Sequence, residues 1–525
     1  MHSAPSGKSG FDFLFFRMMP ALMLVSFFLA LPYTFAQEYK LVVHNVENIF
    51  DIDGVAVYSD YQPFDEDGNP LYRPEHLLTK IQKTSRLMAR YNEGAGPDII
   101  MFVEIESDFT PLPEFALHDP QEVLARYAHL TIEQMLTTHL DDEIADLPAE
   151  MLLLKGMHDH GLTGYDVAVA YERDANGRPT HAVKNVLFSR FPILHERTRA
   201  LPGESARPTL EAWVDVHGHE LALFVNHWRS RASDAEMELI RIRNAQVLRD
   251  RLDELLAENP QLDFILGGDF NSQYHQSHRY PYMEVTAVND VLRSVGDERG
   301  VKRGETDGVY NLWYELPLYE RGSDVFRGNW GTLMQIMIGM GMYNFEGVQY
   351  TDNSFAVGRW PGKNVYANSG APRRWHFFED GGGYSDHLPI SMRFQVAEAG
   401  SGLDFIPLEN PGFNDDEDSF VIPVQYTMPY PSDVLMPDEY LGQNIRTAAF
   451  FDQLFWVEAE INNRFQVQVN GELYDLWAPA FNVRERFAAD AGSGTEIGFI
   501  ARLGKFRGNW QFVIESADYI NPQWP

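Results

Sequence analysis

From Glu38 onward, short apolar segments alternate with amphipathic helical segments. Strands are predicted at Tyr39–Val43, Asp98–Val103, Val167–Tyr171, Val183–Ser189, Ala212–Val216, Leu221–Asn226, Phe264–Leu266 and Ile390–Val396. Helices are predicted over Glu75–Tyr91, where apolar residues recur on one face, and over Asp234–Glu258. Hydrophobic residues make up 44% of the 525 residues, enough to fill the cores of several layers. The pattern predicts an α+β fold in which stacked β-sheets are flanked by helices.

The first 36 residues have the pattern of an export signal. Lys8 and Arg17 precede an apolar stretch, and small residues end the segment at Ala36. This arrangement is typical of a signal peptide, whose removal leaves Gln37 as the first residue. An uncleaved membrane anchor is the alternative, although the apolar stretch is short for a span. We therefore expect a secreted or periplasmic protein with no stable membrane partner after cleavage.

Composition divides the rest of the chain into three parts. Residues 37–397 carry the alternating strands and helices, with a helix-rich insertion at about 110–160. Residues 398–432 contain several glycines and prolines and an acidic run, which is typical of a linker. Residues 433–525 contain short alternating strands and are predicted to form a small β domain.

Charge and cysteine content exclude several classes of function. The chain has 42 lysines and arginines against 76 aspartates and glutamates, a formal net charge of -34. This balance argues against a broad basic surface that holds nucleic acid tightly, but not against a nuclease that relies on local cations. The absence of cysteine excludes disulfides, thiol catalysis and cysteine zinc sites.

Polar side chains gather where predicted strands end. The clusters are Asn45–Asn48, Glu104, Asn226–His227, Gly268–Asn271 and Ser385–His387. Carboxylate and amide oxygens are ligands that suit Mg²⁺, Mn²⁺ or Ca²⁺, and a neighbouring histidine can stabilise or protonate a phosphate. The chain has neither a serine nucleophile elbow nor a Walker-type loop. Together the clusters indicate metal-assisted phosphoester hydrolysis.

Six motifs occur in an order that resembles the endonuclease/exonuclease/phosphatase superfamily, the deoxyribonuclease I-like hydrolases. They are His44–Asp51, Pro97–Glu104, Leu187–Ile193, Asn226–Arg231, Gly268–Asn271 and Tyr384–Pro389. The motifs are most similar to those of secreted bacterial members. The resemblance covers about residues 39–394 and implies a four-layer α/β-sandwich, with two packed β-sheets between layers of helices.

The resemblance also implies roles for individual residues. Glu104 is expected to be the principal ligand of Mg²⁺ (or Mn²⁺ or Ca²⁺), with Asn45 and Asp386 nearby. Asp269 is expected to orient or deprotonate the attacking water, and Asn271 to position Asp269 and the phosphate. The residues expected to stabilise the pentacovalent phosphorane are His227, Asn226 and His387. Candidate phosphate contacts are Arg190, Arg207, Arg229 and Arg231.

One position departs from the family pattern. The family usually has an aspartate, paired with a catalytic histidine, in a segment like Trp330–Ile338, and Met334 stands at that position. A thioether cannot orient an imidazole or stabilise its charge as a carboxylate does. Full activity is therefore in question, although a different acid can substitute.

The C-terminal region has a resemblance of its own. Ile497–Ile520 is similar to the closing strands of OB-fold modules, which bind single strands by stacking bases on aromatic side chains. Candidates for such contacts are Lys505, Arg507, Trp510 and Phe512. The alternative is that these aromatics fill a small barrel. Residues 400–525 contain 7 basic and 19 acidic residues, which favours the alternative.

Three functions remain open from the sequence. The leading hypothesis is an exported, divalent-metal-dependent phosphodiesterase that acts on nucleic acid, DNA more than RNA. The second is a sphingomyelinase-like phosphoesterase acting on phospholipids or inositol phosphates, for which Ile336–Met340 is a candidate apolar hairpin. The third, motivated by Met334, is a homologue that binds phosphate or nucleic acid without turnover.

Overall fold

The computed structural model describes most of residues 37–397 and part of the C-terminal region. The described residues are 37–109, 119–170, 172–203, 206–316, 320–326, 329–367, 369–397, 428–429, 449–469, 471–478, 484, 487–488, 494, 496–506, 509–514 and 520. The predicted signal peptide, nearly all of the predicted linker and Arg507 lie outside these residues.

Residues 37–397 contain sixteen described strands and eight described α-helices. The strands are β1 (Glu38–Ile49), β2 (Ile99–Glu106), β3 (Asp166–Ala170), β4 (Val183–Ser189), β5 (Arg199–Gly203), β6 (Ala206–Val216), β7 (His219–His227), β8 (Phe264–Asp269), β9 (Ser294–Val295), β10 (Val309–Asn311), β11 (Asp324–Phe326), β12 (Asn329–Gly331), β13 (Met334–Ile338), β14 (Gly347–Tyr350), β15 (Ala356–Val357) and β16 (Ile390–Ala397). The helices are α1 (Pro74–Met88), α2 (Pro120–Arg126), α3 (Ile132–Met135), α4 (Asp142–Ala145), α5 (Ala149–Asp159), α6 (Ala235–Glu258), α7 (Gln276–Arg279) and α8 (Glu298–Lys302).

Two seven-stranded sheets organise this region. The first has the order β14-β16-β1-β2-β4-β3, with β15 also paired to β16. The second has the order β5-β6-β7-β8-β13-β10-β9. In each sheet a central pair is parallel, β1 with β2 and β7 with β8. Since side chains at the carboxyl ends of neighbouring parallel strands meet at one edge, each sheet brings two of the predicted clusters together.

The inner faces of the two sheets share the largest core. Leu41 and Val43 of β1 pack in the same buried cluster as Ile265 of β8 and Ile336 of β13. Val42, between them, faces the other way and joins the core beneath α1 and α5. This alternation follows from the two-residue period of a strand with both faces covered. The prediction of two packed sheets is confirmed.

Helices cover the outer faces, so the order of layers is helix, sheet, sheet, helix. The predicted helix Glu75–Tyr91 is observed as α1, which packs through Leu77 and Ile81. The predicted helix Asp234–Glu258 is observed as α6, and the Asp234 side chain caps it by accepting from the backbone of Glu236 and Met237. Helices α2 to α5 lie between β2 and β3, in the segment predicted as a helical insertion.

The C-terminal region contains a second β domain. Its strands are β17 (Met428–Pro429), β18 (Ala449–Asn463), β19 (Gln466–Val469), β20 (Glu472–Trp477), β21 (Glu496–Phe506) and β22 (Asn509–Val513). Strands β18 to β22 pair in a closed circuit, β18-β19-β20-β22-β21 and back to β18. Only β20 and β22 are parallel among these five. The pairing is that of a small five-stranded barrel.

The interior of this barrel contains one of the proposed base-stacking residues. Phe512 is fully buried, and its ring lies 5.0 Å from that of Tyr474 and 6.0 Å from that of Phe499. Phe512 therefore fits the alternative favoured from the sequence, in which these aromatics fill a small barrel, and it offers no surface to a base.

Two observations bear on membrane contact. Among the described residues, no helix combines the length and apolar character needed to cross a bilayer. The candidate apolar hairpin Ile336–Met340 falls mainly on β13, where Ile336, Met337 and Ile338 are fully buried. Most of this segment therefore belongs to the core and does not form an exposed hairpin.

Asp263, just before β8, makes the stability of the fold depend on pH. Its Oδ2 accepts a hydrogen bond from Val348 N at 2.7 Å, while Oδ1 is buried and has no partner among the described residues. Burial raises the pKa of Asp263 to about 7. Between the unfolded and folded pKa values the native state holds more protons, so stability falls as pH rises.

We expect Asp263→Asn to remove this dependence. Relative to the variant, the wild-type protein should lose about 3 kcal/mol of unfolding free energy between about pH 5 and about pH 8. The loss arises over the roughly two pH units below the folded pKa, because each unit there lowers the unfolding free energy by about 1.4 kcal/mol. Urea denaturation of both proteins at the two pH values measures the difference. Equal losses in the two proteins would contradict the assignment.

Candidate functional site

The ends of β1 and β2 are bulged, and the bulges direct polar side chains toward one point. Glu47 and Asn48 have φ values of 51° and 64°, and Glu104 has a φ of 68°. The register between the two strands shifts between Asn45 and Ile49. Positive φ is uncommon outside glycine, and strained residues of this kind often cluster at functional sites. The local backbone is thus arranged to aim the side chains of Asn45 and Glu104.

The ends of β7 and β8 approach closely because of a glycine. Gly268 has a φ of 145°, and a Cβ there would lie 2.0 Å from the carbonyl oxygen of Asn226. The next residue, Asp269, is almost fully buried, and its Oδ1 accepts from Asn271 N at 2.9 Å. Asn271 Nδ2 donates in turn to Trp228 O at 3.1 Å. Asn271 therefore bonds to Asp269 through its backbone N–H, while its side chain bonds to the loop after β7.

Four side chains from the two sheets form a compact polar cluster. His227 Nε2 lies 3.4 Å from Glu104 Oε1 and 4.0 Å from Asp269 Oδ2. His387 Nε2 lies 3.6 Å from the same Asp269 oxygen. Asn45 Nδ2 donates to Glu104 Oε1 at 3.0 Å and to Asp269 Oδ2 at 3.2 Å. We call Glu104, His227, Asp269 and His387 the central cluster.

The surroundings shift the pKa values within the central cluster in different directions. Burial, and then the charge of Asp386, raise the pKa of Glu104 to about 7. Burial, followed by the charge of Arg207, lowers the pKa of His227 well below its usual value. Burial also lowers the pKa of His387, but neighbouring carboxylates outweigh it and raise that pKa to about 9. One histidine is therefore neutral and the other is charged, an arrangement suited to distinct roles.

The donor set fits a hard divalent cation. Oxygens of Glu104 and Asp269 and a nitrogen of His227 lie within 4.8 Å of one another. Burial raises the pKa of Glu104 because it removes the carboxylate from water. A bound cation would lower that pKa, since it would stabilise the charged form. Asp386 is partly exposed, and its charge acts on Glu104. Glu104 and Asp269 thus supply, within one group, carboxylate oxygens of the kind that Mg²⁺ or Mn²⁺ prefers.

Asn45 takes a different position from the one expected of a ligand. Its amide NH₂ is directed at Glu104 and Asp269, and its Oδ1 accepts from Glu47 N at 2.9 Å. In this orientation Asn45 connects the two carboxylates and presents no oxygen to a cation.

Asn226 lies beside the cluster, but its side chain is used within the protein. It is fully buried, and its Oδ1 accepts from Thr209 Oγ1 at 2.7 Å and from Trp228 Nε1 at 3.2 Å. Its Nδ2 donates to carbonyl oxygens of Phe224 and Gly267. With its hydrogen-bonding capacity filled, Asn226 tethers β6, β7 and β8 and has no donor left for a phosphate.

The four predicted phosphate contacts are not brought together. Arg190 bonds to carbonyl oxygens of Ala95, Gly96 and Thr163, at the end of β2 opposite Glu104. The predicted phosphate contact of Arg190 is therefore corrected to a structural role. Arg207 is close enough for its charge to lower the pKa of Glu104.

Arg229 and Arg231 lie on the loop after β7. Their side chains contact Met237 and Asp234 rather than the carboxylates of the central cluster. The loop itself is held by buried Arg241, which donates to carbonyl oxygens of residues 229–232. These two arginines therefore flank the site without entering it.

Two basic residues of the site were missed by sequence reasoning. Arg374 Nη2 lies 2.6 Å from Glu47 Oε1 and 3.6 Å from Asp386 Oδ2. Lys80 is fully buried on α1 and donates to Glu47 O at 2.6 Å, and burial lowers its pKa to about 8. No local pattern marks Arg374, which lies hundreds of residues from Glu47. The only signal for Lys80 was its place among the apolar residues on the buried face of α1, where a charged residue is unusual.

The comparisons with known proteins agree with the motifs. Residues 164–396 match the model of the family described as "Endonuclease/Exonuclease/phosphatase family", which confirms the resemblance. No curated protein matches the chain.

Several solved structures are similar to this chain. A truncated TDP2 from Caenorhabditis elegans is 12% identical, with 68% of this chain and 98% of that chain covered and a TM-score of 0.34. A family protein from Bacteroides thetaiotaomicron is 15% identical, with 69% and 95% covered and a TM-score of 0.36. Another from Leptotrichia buccalis is 14% identical, with 68% and 100% covered and a TM-score of 0.36.

Proposed function

We propose that this chain, whose residues 164–396 match the model of the endonuclease/exonuclease/phosphatase family, is a divalent-metal-dependent phosphodiesterase acting on nucleic acid. The observation that carries the proposal is the central cluster: two carboxylates and two histidines of different charge within a few ångströms. Such a set serves in-line attack of water on a phosphate.

A divalent cation bound through Glu104 and Asp386 would supply positive charge for the phosphate oxygens. Asp269, fixed by Asn271 and Asn45, holds the attacking water and accepts its proton. His387, whose pKa is raised to about 9, donates a charged hydrogen bond to the developing negative charge. His227 is neutral and buried, and its Nε2 lies between the carboxylates of Glu104 and Asp269.

Nucleic acid is the substrate class that the chain favours over lipid. The segment that suggested a membrane-inserting hairpin is buried in β13. The C-terminal strands close in the order 1-2-3-5-4-1 with the third and fifth parallel, a circuit that supports an OB-like barrel, although Phe512 is in its core. We propose DNA ahead of RNA, and export through residues 1–36.

A substrate panel tests the proposal. Protein beginning at Gln37 is incubated with supercoiled plasmid, single-stranded RNA, sphingomyelin vesicles and bis(p-nitrophenyl) phosphate, with Mg²⁺, Mn²⁺ or EDTA. We expect metal-dependent nicking of the plasmid and slower hydrolysis of the small diester. Hydrolysis confined to the vesicles would transfer the assignment to the lipid phosphoesterases.

A homologue that binds without turnover is the second candidate, and Met334 is the observation that favours it. Met334 is fully buried on β13 and paired in register with Asp269. Binding of plasmid in the presence of metal without hydrolysis of any substrate in the panel would support this candidate.

A further inference from the structure

His387 lacks the partner that its position calls for. Its Nε2 faces Asp269, while its Nδ1 is buried and has no hydrogen-bond partner among the described residues. Met334, at the family's aspartate position, offers only a thioether. A buried imidazole nitrogen usually bonds to a carboxylate or a carbonyl oxygen, which fixes the orientation of the ring.

Strand β11 brings another carboxylate to the same place. Asp324 forms an antiparallel bridge with His387, and Leu388 N donates to Ser323 O at 2.6 Å. Directly paired residues in an antiparallel bridge project their side chains to the same side, with Cβ atoms roughly 5 Å apart. The backbone pairing therefore sets the Asp324 side chain beside the imidazole.

The Asp324 carboxylate also lies against the backbone around Met334. Its Oδ1 accepts from Leu333 N at 3.2 Å and from Ser323 Oγ at 3.1 Å. Ser323 Oγ in turn accepts from Met334 N at 3.3 Å. Asp324 is only 6% exposed, so water does not screen its charge from His387.

We propose that Asp324 is the positioning residue of His387, supplying from β11 the carboxylate that is missing at position 334. In this proposal the carboxylate comes from β11 and not from β13. This inference rests on the proposed function, since it concerns the histidine assigned to the phosphate. The effect of each group on the pKa of the other agrees with this proposal. The charge of Asp324 helps to raise the pKa of His387, and the charge of His387 partly offsets the rise in the pKa of Asp324 that burial causes.

The test combines removal with relocation of the carboxylate. We expect Asp324→Asn to lower kcat for plasmid nicking about 10- to 100-fold, as the loss of a residue orienting a catalytic group does, with KM changed less than about threefold. Adding Met334→Asp to Asp324→Asn should restore kcat to within about threefold of wild type. Asp263→Asn, which removes a buried aspartate at the opposite end of β8, is the matched control and should leave kcat unchanged.

Melting temperatures at about pH 6 show whether each variant folds. Asp324→Ser, which keeps an acceptor for Leu333 N without the charge, repeats the test should Asp324→Asn not fold. Equal kcat for wild type and a folded Asp324 variant would overturn the proposal, as would a loss that Met334→Asp does not restore.

Failure of the proposed function is distinguished by a binding measurement. If the wild-type protein hydrolyses nothing, calorimetric titration with inorganic phosphate in the presence of Mn²⁺ replaces kcat. Affinity about tenfold weaker in Asp324→Asn, regained with Met334→Asp, would uphold the inference while rejecting turnover. Equal phosphate affinity in wild type and Asp324→Asn, or a loss that Met334→Asp does not restore, would reject the inference.

Discussion

Asp269→Asn is expected to reduce kcat for plasmid nicking by about 10³-fold, within the range of roughly 10² to 10⁴ that a general base contributes. The Asn side chain keeps the hydrogen bond from Asn271 N but cannot accept a proton from water. Asp269 is nearly fully buried and lies against both histidines, and the neighbouring carboxylate, Glu104, is assigned to the cation in this proposal. Single-turnover nicking assays at saturating Mg²⁺ measure the change.

The control for this substitution is again Asp263→Asn, since both aspartates adjoin β8 and both are buried. It should nick plasmid at the wild-type rate at about pH 7.5. Activity of Asp269→Asn within tenfold of wild type would show that another group activates the water.

Glu104→Gln is expected to have the second largest effect, on the metal requirement. The substitution keeps the size of the side chain and removes the charge that a cation would compensate. We expect the Mg²⁺ concentration for half-maximal rate to rise at least about tenfold, because loss of one charged ligand weakens a carboxylate site. Titration of the nicking rate with Mg²⁺ gives the value.

Glu106→Gln is the matched control for Glu104→Gln. Glu106 is two residues further along β2 and is also buried, but its Oε2 accepts from Asp51 N on the other side of the bulge. Burial raises the pKa of Glu106 to about 8, so the amide mimics its protonated form. Identical metal titrations for Glu104→Gln and Glu106→Gln would contradict the role given to Glu104.

Much of this fold was predictable because its periodicities are strong. The amphipathic faces of α1 and α6 indicated their helices, and the apolar runs indicated β4 and β7 to within a few residues. The clustering of Glu104, His227 and Asp269 followed from polar residues at the carboxyl ends of parallel strands. The order of the motifs carried the resemblance that implies two β-sheets packed face to face.

The remaining site residues were hidden because they depend on three-dimensional contacts. Arg374 reaches Glu47 only after the loop before β16 folds across α1. Nothing in the sequence indicates that the side chain of Asn226 is engaged within the protein, yet its amide hydrogen-bonds to residues of β6 and β8. Arg190 sits in a motif, but the chain turns it toward Tyr165 and the carbonyls of residues 95–96.

Asp324 illustrates the limit most clearly. In the sequence it is ten residues from Met334, with no motif to connect the two. The pairing of β11 with β12 and its bridge to His387 bring it beside the imidazole. The sequence motif shows only that the aspartate expected at position 334 is absent. The fold shows that the carboxylate of Asp324 lies near His387.

The position of the bound metal tests the central claim most directly. Crystals of the protein from Gln37 soaked in Mn²⁺ reveal that position by anomalous scattering. A peak within about 2.3 Å of a Glu104 oxygen, adjoining Asp386, is the result we predict, from the usual Mn²⁺–oxygen distance. The described residues hold one other buried acidic group of this kind, Glu298, Glu315 and Asp352, already bridged by Lys302. A peak only there, with none at Glu104, would contradict the proposed phosphodiesterase centre.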